Sequence, residues 1–499
     1  MGLMEKFFGP RWGVHPDDHK RPAADAPTRV LPMPALLHIP LQQHVGSPAR
    51  PVVVAGQKVR RGQLIAEPGS GRVSAPVHAS TSGTVRAIGE VTAPHPSALP
   101  VAAVIVEADG EDKAIDAEVP ADPFARSPAE ITALVAAAGV VGLGGATFPS
   151  SVKLALGKRS EIKTLIVNGG ECEPYLSCDD RVMRDHADQV VDGVRLMLHC
   201  TGAAEALVGI EDNKPEAIAA MKLAAAPFGD IKIRPVPARY PMGSDRQLIV
   251  TLTGKEVPTD CRAADVGVLV NNVNTAAAVH RAVRRGEPLV RRIVTVNGGA
   301  LRAPGNVLVP IGALAGDLFD FVGLKSEPAR LVMGGPMMGV VLPHARVPVV
   351  KGCAGFLALT ADEIVAEEAG PCIRCGNCTT ACPQGLLPVE MAAHVRADDL
   401  TGAEGLGLVV CLLCGCCAYV CPSHIPLVQY FNHARGELWN RERSKLRQEA
   451  TKRLATARSE RIERETREKA EAAARRKAER DAAKKAAAAA AAASKETTA

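Results

Sequence analysis

Eight of the 14 cysteines fall in two runs with a single spacing. Cys372, Cys375, Cys378 and Cys382 precede Pro383; Cys411, Cys414, Cys417 and Cys421 precede Pro422. Both runs read C-x2-C-x2-C-x3-C-P. Three thiolates on so tight a loop can each take one iron of a cubane Fe4S4 cluster. The fourth is expected at the start of the next helix, pointing away from that loop. The proline opens the departing segment without needing a backbone donor. Zinc ribbons use two separated C-x2-C pairs, which is a different spacing. The chemistry is therefore one-electron transfer through two [4Fe-4S] clusters. Cys416, an additional thiol in the second run, reads as an ordinary buried thiol, with a spare ligand as the alternative.

The doubled spacing resembles that of bacterial two-cluster ferredoxins, in which the fourth cysteine of each run serves the other cluster. That resemblance assigns Cys372, Cys375, Cys378 and Cys421 to one cluster. It assigns Cys411, Cys414, Cys417 and Cys382 to the second. Two clusters so close make a wire, and a wire needs a donor and an acceptor. Clusters alone select no substrate.

A second constellation lies upstream. Gly142, Gly144 and Gly145 let a backbone turn sharply and approach phosphate oxygens, and Lys153 adds a positive charge. By itself such a turn is common. A strand reading at Thr164–Asn168 then runs into NGGECEPYLSCDDR, which sets polar side chains at a strand's carboxyl end, where open α/β sheets bind ligands. Tyr240-Pro-Met-Gly-Ser-Asp245 adds an aromatic and another glycine turn. LVNNVNT at Leu269–Thr275 adds three asparagines and a threonine.

The elements around these residues predict a multidomain α/β and α+β protein. Residues 1–125 carry short β-like runs at Pro51–Ala55, Gln63–Ala66, Val73–Val77 and Gly83–Ile88, separated by turn residues. VAGQKVRRGQLIA and APVHASTSGTVRAI resemble the biotinyl/lipoyl-type barrel-sandwich fold. The modified Met-Lys hairpin of carrier domains is missing, which implies a structural role. Residues 126–288 alternate strands and helices, an α/β domain with a mostly parallel sheet. Helices are expected at Ile131–Ala138 and Asp180–Cys200, and strands at Ala206–Ile210, Ile231–Pro235 and Val266–Val270. Residues 289–345 resemble a soluble-ligand-binding β-grasp module, expected to pack rather than capture ligand. The cysteine-rich domain spans 361–440. Residues 441–499 form an Ala-, Lys-, Arg- and Glu-rich tail, expected as a solvated helix because no apolar stripe runs along it.

Composition narrows the functions. With 47% hydrophobic and 23% charged residues, the chain is ordinary for a globular protein with several cores. Aromatics at 3% are too few for a base-stacking surface, so no nucleic-acid partner is expected. No apolar run reaches the roughly 18–20 residues of a spanning helix. The opening MGLMEKFFGPRWG lacks a secretory signal's apolar stretch. The net charge of +5 is misleading. The tail from Arg441 carries 18 basic and 10 acidic residues, and the body is nearly neutral. Such a tail is either a plain solvated helix or a contact for an acidic partner or membrane surface.

GLGGATFPSSVK, NGGECEPY and NNVNT together resemble the flavin- and NADH-binding subunit of respiratory complex I. That family reads G-R-G-G-A-G-F-P-x-G-x-K, then N-A-D-E-x-E-P-G, a Tyr-x-x-Gly, and N-N-V-E-T. Here Leu143 stands for the arginine, Thr147 for a glycine, Gly170 for the aspartate and Asn274 for the glutamate. Ser244 and Asp245 stand for two further glutamates. The flavin cradle is thus better kept than the nicotinamide contacts. The domain order is similar to that of the RnfC/RsxC family, from the Rnf-type ion-translocating electron-transport complexes, over nearly all of residues 1–440. This resemblance implies a peripheral subunit on the cytoplasmic side of the inner membrane, with FMN and two [4Fe-4S] clusters. It would take electrons from NADH and pass them to membrane subunits of the complex. Carried over by motif, Gly142, Gly144, Gly145 and Lys153 would cradle FMN. Asn168, Glu171 and Tyr240 would line the flavin, Gly243 would permit close approach, and Asn271, Asn272 and Thr275 would hold its phosphate or ribityl chain. Two other readings stay open: a soluble reductase similar to cobalamin reductases, and an electron relay without catalysis. Cys172, Cys178, Cys200, Cys261 and Cys353 read as structural thiols, and no residue is assigned a catalytic role.

Overall fold

The computed structural model describes residues 12–71, 73–95, 97–158, 160–364 and 367–496. The opening stretch, read as lacking a secretory signal, lies mostly outside these residues. No helix among the described residues is long and apolar enough to cross a membrane.

The domain that carries the glycine loop is built on four parallel strands, Thr164–Gly169, Glu205–Glu211, Ile231–Val236 and Val268–Asn272. In chain order they lie 3-2-1-4, so the winding direction reverses between Thr164–Gly169 and Val268–Asn272. Leu165 and Val167 join the larger core, under helices Ala187–Thr201 and Val273–Arg285. Ile166 faces the other way, against Leu248 and Ile249 of helix Asp245–Thr253. With both faces covered, these strands read as unbroken apolar runs.

One helix expectation needs correction. Asp180–Cys200 is two helices, Cys178–Asp185 and Ala187–Thr201, parted at His186, whose φ of −136° and ψ of 35° leave the helical region. The break frees the first helix to aim its N-terminus at Glu171, which accepts from the Asp179 and Asp180 amides at 2.9 and 3.2 Å. A period-3.6 apolar pattern can run through such a kink without registering it.

The N-terminal module is a barrel sandwich of two antiparallel sheets. One contains Leu36–Pro40, Pro100–Ala108, Gly83–Thr92 and Lys58–Val59; the other Arg50–Pro51, Leu64–Glu67 and Val77–His78. The strand expected at Val73–Val77 is confined to Val77–His78. The neighbouring mixed sheet extends past the 289–345 span. Its strand Gly355–Leu359 is interior, paired with both Arg291–Asn297 and Arg330–Met333, and Arg29–Val30 joins from the chain's beginning. Phe356, Leu357 and Ala358 are fully buried. The barrel and this sheet share one apolar core, in which Ile39 and Ile65 meet Val294, Leu318 and Phe356.

Lys351 pins three units together. It is 1% exposed, and its ammonium donates to the Pro76 and Gly139 carbonyls at 2.9 and 2.7 Å. Burial lowers its pKa from 10.5 to about 7. Between those values the unfolded chain holds a proton that the folded chain lacks, so this group makes stability rise with pH. The urea midpoint is therefore expected to climb between pH 7 and 9. Lys351→Met should flatten that climb, and an unchanged pH profile in the variant would count against this role.

The cysteine-rich domain contains helices Asn377–Ala381, Pro388–Arg396, Leu400–Gly405 and Cys416–Tyr419, and the start of a 70-residue helix, Leu427–Glu496. That helix begins inside the domain rather than at 441. Leu427, Phe431 and Ala434 are buried in the local core, and the described residues beyond Arg441 are solvent-exposed, as expected for the tail.

Candidate functional site

The reversal in strand order leaves a crevice at the carboxyl ends of Thr164–Gly169 and Val268–Asn272, the place where open α/β sheets receive ligands. Asn168 and Asn272 are register partners there. The glycine loop covers this crevice. Val141 bridges to Pro149, and the Gly142 amide donates to the Phe148 carbonyl at 2.9 Å, closing the loop at its base. The Leu143 amide donates to the Thr275 hydroxyl at 2.9 Å, tying the loop to the first turn of helix Val273–Arg285. A carbon added at Gly144 would lie 3.3 Å from Asn272. Gly145, with φ +100°, has nothing within 4 Å of such a carbon, so this backbone faces open space. Lys153 donates to the Val270 carbonyl at 3.0 Å.

Asn168 accepts from the Gly170 amide at 2.9 Å and donates to the Gly243 carbonyl at 2.8 Å, which brings the Tyr240–Gly243 turn to the same crevice. Asn271 is buried, and its amide nitrogen has no hydrogen-bond partner within the protein. A buried donor left open is rare unless something else completes it. An open glycine loop, a lysine beside it and an unsatisfied buried amide suit a phosphorylated flavin such as FMN.

Three expected flavin-lining residues have other partners. Glu171 turns inward to cap helix Cys178–Asp185 and does not face the crevice directly. Thr275 is fully buried and positions the loop. Tyr240 is also buried, and its hydroxyl donates to the Cys414 carbonyl at 2.6 Å, toward the clusters.

Sequence reasoning missed Asp179. Its carboxylate accepts from Asn272 at 2.6 Å and Asn274 at 2.5 Å, so the residue that replaces the family's glutamate holds an aspartate at the crevice. Burial raises the pKa of both Asp179 and Glu171, and the nearby Asp179 charge raises Glu171 further. The only signal was its place directly after NGGECEPYLSC. Lys20 was also missed. Its ammonium is buried among the Glu171, Glu173 and Leu176 carbonyls, at 2.9 Å from each of the first two. Val14 pairs with Tyr240, and Gly13 donates to the Ala381 carbonyl. Residues 13–20 thus form a strap over both the flavin and the cluster domains. Glu173 accepts from the Met337 and Met338 amides, and burial raises its pKa to about 7.

The two cysteine loops have matching backbones. Arg374 and Leu413 both sit at φ +55°, and Gly376 and Gly415 at +80° and +86°. The Arg374 amide points at the Cys372 sulfur at 3.4 Å, and the Leu413 amide at the Cys411 sulfur at 3.5 Å. Cys382 does not start a helix. It follows the short helix Asn377–Ala381, and the next begins at Pro388. Cys421 likewise follows Cys416–Tyr419. Cys382, Cys411, Cys414 and Cys417 line one cavity with Leu386 and Phe431. Burial raises the Cys411 thiol to about 11 and also raises Cys382 and Cys417. A hydrogen bond with Cys416 lowers Cys414 to about 7. Iron must displace the protons these thiols hold. Four sulfurs around one cavity in an apolar shell suit a cubane cluster. Cys372 and Cys375 are exposed, and Cys378 and Cys421 are half-buried. Cys416 is fully buried, with its thiol 3.9 Å from the Tyr240 carbonyl.

Family models match each unit. One described as the Nuo51 FMN-binding domain matches residues 135–281, and the RnfC barrel sandwich hybrid domain matches 9–111. A 4Fe-4S dicluster domain matches 371–425. The RnfC protein of the ion-translocating oxidoreductase complex of Rhodobacter capsulatus is 49% identical over 440 residues, 88% of this chain and 85% of that protein. Its counterpart of the same name in Pseudomonas aeruginosa is 44% identical over 93% of this chain and 60% of its own length. The corresponding protein of the proton-translocating ferredoxin:NAD(+) oxidoreductase complex of Clostridium ljungdahlii is 43% identical over 77% of this chain and 83% of its own. A barrel sandwich, an FMN-binding domain and a two-cluster domain in this order, with relatives so similar over most of the length, place the chain in the RnfC family of ion-translocating oxidoreductase complexes, electron-transfer subunits that use FMN and [4Fe-4S] clusters.

Proposed function

We propose that this chain accepts electrons from NADH at FMN and relays them singly through its two clusters to membrane subunits of the complex. It would sit as a peripheral subunit on the cytoplasmic side of the inner membrane. Bound FMN supplies the conversion of a two-electron hydride into single electrons. Gly142, Gly144, Gly145 and Lys153 form the cradle for its phosphate and ring edge. Asn168, Asn271 and Asn272 face the crevice, with Thr275, Glu171 and Gly243 holding the loops around it. The two ligand sets are Cys372, Cys375, Cys378 and Cys421, and Cys411, Cys414, Cys417 and Cys382. The observation that carries this reading is the continuity between crevice and clusters, from Asn168 through the Gly243 turn to Tyr240 and Cys414.

The substituted nicotinamide contacts at Gly170, Ser244 and Asp245 favour a second reading, a relay that receives electrons already delivered to the flavin. One experiment separates them. Oxygen-free holoprotein given NADH is expected to lose its oxidised-flavin absorbance and to develop the electron paramagnetic resonance signals of reduced clusters. Unchanged absorbance with NADH, but full bleaching with dithionite, would support the relay.

A further inference from the structure

The cluster domain meets the flavin domain on one side only. The Tyr240 hydroxyl donates to the Cys414 carbonyl, the Cys416 thiol faces the Tyr240 carbonyl, and Gln247 donates to the Pro383 carbonyl at 2.8 Å. The strap adds its own bond from Gly13 to Ala381. Val14, Tyr240, Ala381, Cys414 and Cys416 form a closed apolar cluster, with Cys172 and Met337 packed on it. Every one of these contacts falls on the second cysteine loop or on the segment around Cys382. Among the described residues, no hydrogen bond from the flavin domain ends on Cys372–Cys378. That first loop instead faces solvent: Cys372 and Cys375 are exposed, and Ile373 between them is 67% exposed.

We propose that electrons cross between the domains at the Tyr240–Cys414 contact, so that the Cys382/Cys411/Cys414/Cys417 cluster is the entry and the Cys372/Cys375/Cys378/Cys421 cluster is the exit facing the redox partner. This rests on the flavin and cluster assignments above, but not on NADH as the donor. The buried contact excludes water and shortens the path from the crevice, since Gly243 is bonded to Asn168 at one end of the turn and Tyr240 reaches the cluster loop at the other. The exposed loop with its apolar Ile373 suits docking of another electron carrier. Each crossing moves one electron. The flavin domain is oxidised by one as the entry cluster is reduced by one, and the exit cluster then re-oxidises the entry cluster. No bond forms or breaks in the cluster-to-cluster step, and any proton leaving the flavin goes to water.

Tyr240 also acts as a positioning residue. By donating to the peptide carbonyl beside a ligand sulfur, it draws negative charge away from the cluster and favours the reduced, more negative level.

The test uses full-length, oxygen-free holoprotein whose flavin is reduced by light, so that a failure of NADH to react does not affect it. In Cys375→Ser, the remaining cluster should still be reduced from the flavin. In Cys414→Ser, the remaining cluster should be reducible by dithionite, yet its reduction from the flavin should slow by at least about tenfold. The reverse pattern would overturn the proposal, as would equal rates. Tyr240→Phe keeps all ligands and guards against loss of folding in the serine variants. In a redox titration it should lower the reduction equilibrium constant of one cluster roughly threefold, about 28 mV for a one-electron couple. The shifted signal should be the one missing from Cys414→Ser. A shift in the other signal, or none, would refute the role of Tyr240.

Discussion

Replacing Cys382 by serine is expected to remove one cluster and keep the other, so that iron falls from about eight to about four atoms per chain. Which cluster goes depends on how the ligands are shared. Cys382 belongs in sequence to the first run, but it lines the cavity of Cys411, Cys414 and Cys417. Its loss should therefore abolish the second-loop cluster. The double variant Cys375→Ser/Cys382→Ser discriminates between the two arrangements. If the ligands interleave, each substitution strikes a different cluster and both signals disappear. If each run serves its own cluster, both substitutions strike the same one and half of the iron stays. Iron and acid-labile sulfide analysis of oxygen-free preparations reads the answer directly.

Gly145→Val should weaken FMN binding by roughly a hundredfold, equivalent to about 2.7 kcal/mol. Two effects add. At φ +100° a β-branched residue is strained, by about 1–2 kcal/mol for left-handed backbone in general. The new side chain also enters the space the loop leaves open, because nothing of the protein lies within 4 Å. Since no protein atom is displaced, the clusters should be retained in full, and iron content serves as the folding control. Fluorescence titration of the flavin-free protein measures the loss. Binding within about threefold of the parent would remove Gly145 from the cradle.

Much of the chemistry was legible because it is local. Cysteine ligands must lie a fixed few residues apart to reach one cube, and a phosphate-cradling turn needs its glycines together. The parallel sheet could be read for a similar reason: Leu165, Ile166 and Val167 are buried on two faces and form an unbroken apolar run. What could not be read depends on distant partners. Nothing around Gly355–Leu359 announces an interior strand, because its identity comes from pairing with Arg291–Asn297 and Arg330–Met333. The break at His186 answers to Glu171, far back along the chain, and not to the apolar pattern across it. Tyr240 was expected at the flavin, since its motif sits among flavin motifs. It faces the clusters because Cys414 offers its hydroxyl a buried carbonyl. Motif resemblance transfers position in the fold more safely than side-chain direction.

The strap of residues 13–20 has a consequence for biogenesis. Its partners are Glu171, Tyr240 and Ala381, so the first of its hydrogen bonds to be specified in the sequence is among the last that can close. At about 5–20 residues per second, a ribosome needs on the order of 20–75 seconds to travel from Gly13 to Ala381. For that interval the nascent N-terminus waits with Lys20 undocked, while the barrel sandwich behind it can already fold. Closure of the strap thus reports that the cysteine loops have emerged, which makes it a natural last step after iron delivery has begun.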